Sequence, residues 1–206
     1  ITATFNEIMA LTPAPKIIIT GTGIADVSAT DMSRTSETHY TYTYTVPTGN
    51  GSGTITLSTG TDLAGNLLTS VPTSGATFNV DNIAPTMTIT STTAGITSGV
   101  TTNDATIDLT FTASENITDF VVGDITLVNC SISSLTTVSS SVYTATITPS
   151  ANGLCEISVS TNKMLDEAGN ANTSASNTFQ WTFDDTSPTM TISSTTAGVT
   201  SGSHTQ

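Results

Sequence analysis

The chain has 206 residues, of which 3 are Lys or Arg, 16 are Asp or Glu, and 9 % are charged. Nucleic acids and anionic membranes are bound through Lys and Arg, so this charge balance argues against both classes of partner. No run of about 18 apolar residues occurs, so direct insertion into a membrane is not expected either.

Hydroxyl side chains dominate the polar residues, with 48 Thr and 26 Ser. β-Branched residues favour strands, and helix-forming runs of Lys, Glu and Ala are scarce, so the sequence predicts an all-β fold. Strands are predicted at 1–5, 16–20, 39–46, 53–58 and 76–80, then at 86–90, 105–111, 124–130, 142–148, 154–160 and 178–184. The clearest of them, HYTYTYTV at 39–46, alternates aromatic residues with Thr, as a strand with one buried face does.

Two connections in the first half differ from each other. GNGSG at 49–53 predicts a hairpin turn, because Asn-Gly readily adopts positive φ angles. The longer segment 21–39 has no counterpart later in the chain and contains the single Arg, Arg34. It is either a plain exposed connection or the interaction site of an adhesin that binds a surface or a glycan.

A tandem repeat organises the whole chain. From Pro85 and Pro188 onward, 14 of 18 positions agree, and these prolines are 188 − 85 = 103 residues apart. The motif AGN recurs at nearly the same spacing, from Gly65 to Gly169. Short strands in units of about a hundred residues predict two tandem immunoglobulin-like β-sandwiches, at 1–80 and 81–185. Residues 186–206 then belong to the next repeat.

Three motifs follow one another in order within the repeat. They are D-x-x-A/S-P-T at 81–86 and 184–189, FTASEN at 111–116, and D-x-A-G-N at 166–170 before the strand TFQWTF. In this order they resemble the bacterial Ig-like repeats of large secreted adhesins and surface fibres. The resemblance implies an extracellular or cell-surface location, a structural rather than an enzymatic role, and calcium at the domain joints.

The chain begins with ITATFNEIM, which resembles the second strand of the later copy (ATIDLTFTASENI) and not its first strand. The first domain is therefore predicted to lack its own first strand, while the C-terminal residues carry a spare one. The spare strand consists of Pro188, Thr189, Met190, Thr191, Ile192 and Ser193, and the edge that receives it consists of Ile1, Thr2, Ala3, Thr4 and Phe5.

Strand addition of this kind predicts identical copies joined head to tail in a filament. The length supports it, since 206 is 2 × 103 residues. Three arrangements remain open: separate subunits, successive repeats of one very long calcium-stiffened adhesin, or a fragment with ragged domain boundaries.

Carboxylates concentrate where an Ig-like topology brings the domain entrance and two loops to one pole. Asp81, Glu115 and Asp166 are expected to meet at the second domain, and Glu7, Asp62, Asp184 and Asp185 at the joint between copies. Carboxylates from three segments suit Ca²⁺, which is the predicted cofactor. The alternative is that these acids only cap turns.

Two kinds of covalent modification are suggested. Cys130 and Cys155 are either two buried thiols or one disulfide, and a secreted location makes the disulfide the expectation. Four N-x-S/T sequons, which matter only in a host that glycosylates Asn, lie at Asn50, Asn116, Asn129 and Asn172.

No enzymatic site is predicted. The chain holds two His residues, and neither the glycine-rich stretches nor the Cys spacing matches a phosphate loop or a redox motif. Acidic positions recur in both copies, which favours a structural purpose over one active site.

Overall fold

A computed structural model describes residues 1–200 and 202, and their regular structure is β-strand except for one 3-10 turn, Val122–Asp124. In this described part, no helix is long and apolar enough to cross a membrane. Two compact units form: the first comprises Ile1–Ala84 with Asp166–Asn170, and the second comprises Pro85–Leu165 with the residues from Ala171 onward. Of the predicted third segment, 186–206, residues 201 and 203–206 lie outside the described residues.

The first unit is built from two antiparallel sheets. Its strands are β1 (Thr2–Thr4), β2 (Lys16–Thr22), β3 (Val27–Asp31), β4 (Ser33–Arg34), β5 (His39–Thr41), β6 (Gly51–Ser58) and β7 (Thr77–Val80). One sheet has the order β1-β5-β4 and the other the order β3-β2-β6-β7. The core between them includes Ile17, Ile19 and Leu57 from the larger sheet and Tyr40 from the smaller one.

The second unit repeats this plan with one more strand in its first sheet. Its strands are β8 (Met87–Ser91), β9 (Thr101–Thr102), β10 (Ile107–Ala113), β11 (Ile125–Val128), β12 (Cys130–Ser139), β13 (Val142–Pro149), β14 (Gly153–Val159) and β15 (Phe179–Phe183). The sheets have the orders β12-β13-β10-β8 and β11-β14-β15-β9. All pairs are antiparallel except that of β9 with β15.

Strict alternation explains which faces of the second unit pack together. In β10 the residues Ile107, Leu109 and Phe111 are fully buried, while the positions between them face away from the core. Ile157 and Trp181 of the opposite sheet are also fully buried and belong to the same core. Two sheets with facing apolar sides are the definition of a β-sandwich, so the predicted all-β immunoglobulin-like class is confirmed.

Three strand predictions need correction. The segment 21–39 is not a plain loop, since it contains β3 and β4. Strand β5 ends at Thr41, well before residue 46, although the amide of Tyr42 still donates to the Ile1 carbonyl at 2.9 Å. Strand β12 was not predicted because its Ser-rich sequence, CSISSLTTVS, resembles a loop; it lies at a sheet edge with two register shifts, where little apolar surface is required.

Candidate functional site

The outer edge of β1 distinguishes the two units. In the second unit β10 pairs with β13 on one side and with β8 on the other. In the first unit β1 occupies the place of β10 and pairs with β5, but no strand of the described residues pairs with its other edge. The first unit thus has an open sheet edge where the second has β8.

A groove of about 580 Å³ runs along this open edge, and we call it the acceptor groove. The whole of 1–7 lines it, with apolar core residues forming its floor. The remaining lining residues are Met9, Ile17, Met32, Ile55, Leu57, Asp62, 66–69 and 72–75. The sequence predicted that residues 1–5 form an edge that receives a strand. It did not predict the segment 72–75, because no local pattern marks these residues as part of a groove lining.

In the second unit the matching space is filled by β8. Its Met87 and Ile89 are 4 % and 1 % exposed. The strand is held on its other side by Asn177, whose amide oxygen accepts from the Ile89 backbone at 2.7 Å and whose amide nitrogen donates back to it at 2.9 Å. No sequence pattern predicted these two hydrogen bonds.

Residues 188–193, here called the donor segment, repeat the β8 sequence but form no strand. Counting 103 residues on from Met87 and Ile89 leads to Met190 and Ile192, which are 83 % and 85 % exposed. Full burial of such a side chain contributes about 1.5–3 kcal/mol, so burial of Met190 and Ile192 would be strongly favourable.

The turn after the donor segment already has the geometry found after β8. Gly95 and Gly198 have φ angles of +79° and +81°. The amide of Val199 donates to the Thr196 carbonyl at 3.1 Å, and the matching bond from Ile96 measures 3.2 Å. The repeat is therefore structural as well as sequential at this turn.

Each copy of the sequence repeat contains one D-x-A-G-N turn, and the two turns have the same hydrogen bonds. The two carboxylate oxygens of Asp166 accept from the backbone and side-chain amides of Asn170, both at 2.8 Å. Those of Asp62 accept from Asn66 in the same way, at 2.8 and 2.7 Å. In the buried Asp166, desolvation raises the pKa, but the hydrogen bonds from Asn170 and the turn amides outweigh it and lower the pKa below its usual value. For Asp62 the bonds from Asn66 lower the pKa directly.

The structure brings two of the predicted metal ligands together within the first unit. Asp81 and Asp166 each place a carboxylate oxygen within 4.8 Å of the other. We call these two residues and the predicted third ligand, Glu115, the carboxylate cluster. Asp166 is 3 % exposed. Lys16 forms an ion pair with Asp31, and Lys163 forms one with Asp124.

The other four predicted ligands form no such group among the described residues. Glu7 and Asp62 both line the acceptor groove. Asp184 and Asp185 are exposed just before the donor segment. Asp184 accepts from the Thr186 amide at 3.0 Å, just as Asp81 accepts from Ile83 at 3.1 Å, so the two entry turns match.

The predicted sequons have different surroundings. Asn50 and Asn116 are exposed, and Asn129 is half-buried with its amide donated to Ala151 at 2.9 Å. Asn172 is fully buried, and its amide nitrogen donates to Ser160 and Ser174, both at 2.9 Å. The folded domain therefore has no space for a glycan at Asn172, and the prediction of a glycan there is wrong.

In each unit, two mainly antiparallel sheets enclose one apolar core, which is the architecture of immunoglobulin-like β-sandwich proteins. The model of the family described as "Bacterial Ig-like domain" matches residues 81–183, and the chain belongs to this family.

Two solved structures illustrate the likeness. InvD from Yersinia pseudotuberculosis is 18 % identical with a TM-score of 0.42, and the match covers 98 % of this chain and 59 % of that one. SGBP-B of the Bacteroides ovatus mixed-linkage glucan utilization locus, solved with a mixed-linkage heptasaccharide, is 18 % identical with a TM-score of 0.27, over 81 % of this chain and 39 % of that one. The chain thus spans less than two thirds of either protein. No curated protein matches it.

Proposed function

We propose that this chain is the structural repeating unit of an extracellular or cell-surface filament or stalk. The donor segment of one copy completes the open sheet of the next copy, so that copies join head to tail. The observation that carries the proposal is the contrast between buried Met87 and Ile89 and their exposed counterparts Met190 and Ile192. The contact links two different surfaces, so it propagates and does not close on itself.

The repeat also supports one particular register for the added strand. Ile89 lies opposite Phe111 in the second unit, and Phe111 corresponds to Phe5 in the first. Ile192 of the donor copy is therefore expected opposite Phe5 of the acceptor copy, with its side chain directed into the groove. Main-chain hydrogen bonds to β1 would satisfy the open edge, and the alternate side chains would set specificity.

Calcium is the second part of the proposal. Ca²⁺ takes six to eight oxygen ligands, and the carboxylate cluster offers carboxylates from three separate segments of the chain. A bound ion would offset the repulsion among these groups. Strand addition would place Asp184 of the donor copy near Glu7 and Asp62 of the acceptor, which reproduces the same set of three acids between copies.

The test compares the unmodified chain with two variants in sedimentation velocity and negative-stain electron microscopy. Ile192→Asp places a charge where the groove is apolar, and it is expected to remain a single copy. Thr191→Asp is the matched control, because its counterpart Thr88 is exposed in β8. Both variants introduce Asp, a poor strand former, at adjacent positions of the segment, so the main difference between them is the expected burial of the replaced side chain.

The proposal predicts filaments for the unmodified chain and for Thr191→Asp, and none for Ile192→Asp. It fails if the unmodified chain stays a single copy at high concentration, or if Ile192→Asp assembles equally well. The natural material, boiled in SDS with reductant, then separates two arrangements. A band near 21.0 kDa indicates discrete subunits, while a far larger mass indicates successive repeats of one long adhesin.

A further inference from the structure

Cys130 and Cys155 face each other across the two sheets of the second unit. Cys130 begins β12 in one sheet, and Cys155 lies in β14 of the other. Each thiol contacts the backbone beside the other cysteine: Sγ of Cys155 donates to the Asn129 carbonyl at 3.2 Å, and Sγ of Cys130 donates to the Glu156 carbonyl at 3.7 Å. The two sulfurs are thus held at one point of the sandwich.

An unusual backbone angle at Asn129 turns Cys130 toward this point. Val128 of β11 faces solvent, so regular alternation would also direct residue 130 outward. Asn129 instead adopts the left-handed conformation, with φ of +52°. The alternation breaks there, and Cys130 packs against the core of the second unit.

We propose that Cys130 and Cys155 form a disulfide that joins the two sheets. The proposal is independent of filament assembly, since both residues lie within the second unit. The oxidant is a small disulfide such as oxidised glutathione. The protein loses two S–H bonds and gains one S–S bond, and the two electrons and two protons convert the oxidant into two thiols.

Burial sets the order of the two exchange steps. Cys130 is half-buried, so its thiolate attacks the oxidant first and releases one glutathione. Cys155 is fully buried, and it then attacks the Cys130 sulfur and releases the second glutathione. Burial, followed by the neighbouring Cys130, raises the pKa of Cys155 to about 11, so the second step is slow once the domain has folded. The bond is expected to close quickly during folding and slowly afterwards.

The experiment refolds the denatured, reduced chain at pH 8 with a mixture of reduced and oxidised glutathione. Free thiols are then titrated in denaturant and the mass is measured. We expect no titratable thiol and the loss of two hydrogens. Because the bond closes a loop of 155 − 130 = 25 residues, adding reductant should lower the melting temperature of the second unit by about 10 °C or more.

Two variants act as controls, Cys130→Ala and Cys155→Ala. In both, the melting temperature should no longer respond to reductant. If Cys155→Ala fails to fold because it opens a cavity, Cys130→Ala at the half-buried position still provides the comparison. Two titratable thiols after oxidative refolding, or glutathione retained on Cys130, would overturn the proposal.

Discussion

At the scale of single residues, the carboxylate of Asp166 holds its D-x-A-G-N turn together through the two bonds from Asn170. Asp166→Ala is expected to lower the free energy of unfolding by about 1–3 kcal/mol at pH 7, because it removes the carboxylate that accepts from the half-buried backbone and side-chain amides of Asn170. Chemical denaturation measures the difference. Asp185→Ala, at an exposed position, is the control and should change little.

The lowered pKa of Asp166 predicts that the stability of the folded chain depends on pH. The pKa of Asp166 is lower in the folded chain than its ordinary value of 3.8. Its contribution to stability is therefore complete above that value and is lost as the pH falls through the folded pKa. Denaturation curves at pH 7 and near pH 3 should show that the gap between the unmodified chain and Asp166→Ala shrinks in acid. An undiminished gap in acid would contradict this account.

Glu115 provides the test of calcium binding. Addition of Ca²⁺ should raise the melting temperature of the unmodified chain, since it stabilises whichever state binds it, and chelation should reverse the rise. Glu115→Gln removes one of three charged ligands and should remove most of this response. Glu156→Gln, on β14 and outside the cluster, should keep it. If the melting temperature is the same with and without calcium in every variant, the cluster holds no ion.

At the scale of strands, one substitution has opposite consequences in the two copies of the repeat. Ile89→Ala in β8 opens a cavity and should destabilise the second unit by about 2–5 kcal/mol. Ile192→Ala should leave the stability of a single copy unchanged, because that side chain is 85 % exposed. It should nevertheless weaken association between copies by at least about tenfold, as measured by sedimentation. Equal effects of both changes on the single copy would show that the donor segment is already paired.

The strands that the sequence predicts well are those with apolar residues at every second position. Strand β10 alternates Ile, Leu and Phe with polar residues, and its burial follows the pattern without exception. Strands β3, β4 and β12 escape prediction because they are mostly exposed, so pairing with a neighbour and not burial holds them in place. Exposed Ser and Thr residues occur in loops as well as in strands, so they do not indicate which segments pair with a neighbouring strand.

The candidate site divides in a similar way. The entry turn and the loop at Asp166 follow from the order of motifs, and Asp81 and Asp166 lie together in the first unit. The hydrogen bonds of Asn177 and the groove lining at 72–75 depend on contacts between distant parts of the chain. No local sequence pattern predicts such contacts. The burial of Asn172 is a further example, because its sequon is identical whether the side chain faces solvent or the core.

At the scale of the whole molecule, the proposed assembly makes the groove of one copy and the donor segment of another complementary parts of the same repeat. Moving residues 186–200 to a position directly before Ile1 should therefore let the chain fill its own acceptor groove. The expected product is a single copy that does not assemble and whose first unit melts at a higher temperature, because Met190 and Ile192 become buried. Calorimetry and sedimentation measure the two effects. The same rearranged chain carrying Ile192→Asp is the control and should lose the gain in melting temperature. If the rearranged chain gains no stability over that control, the groove does not receive this strand, and the proposed joint between copies is wrong.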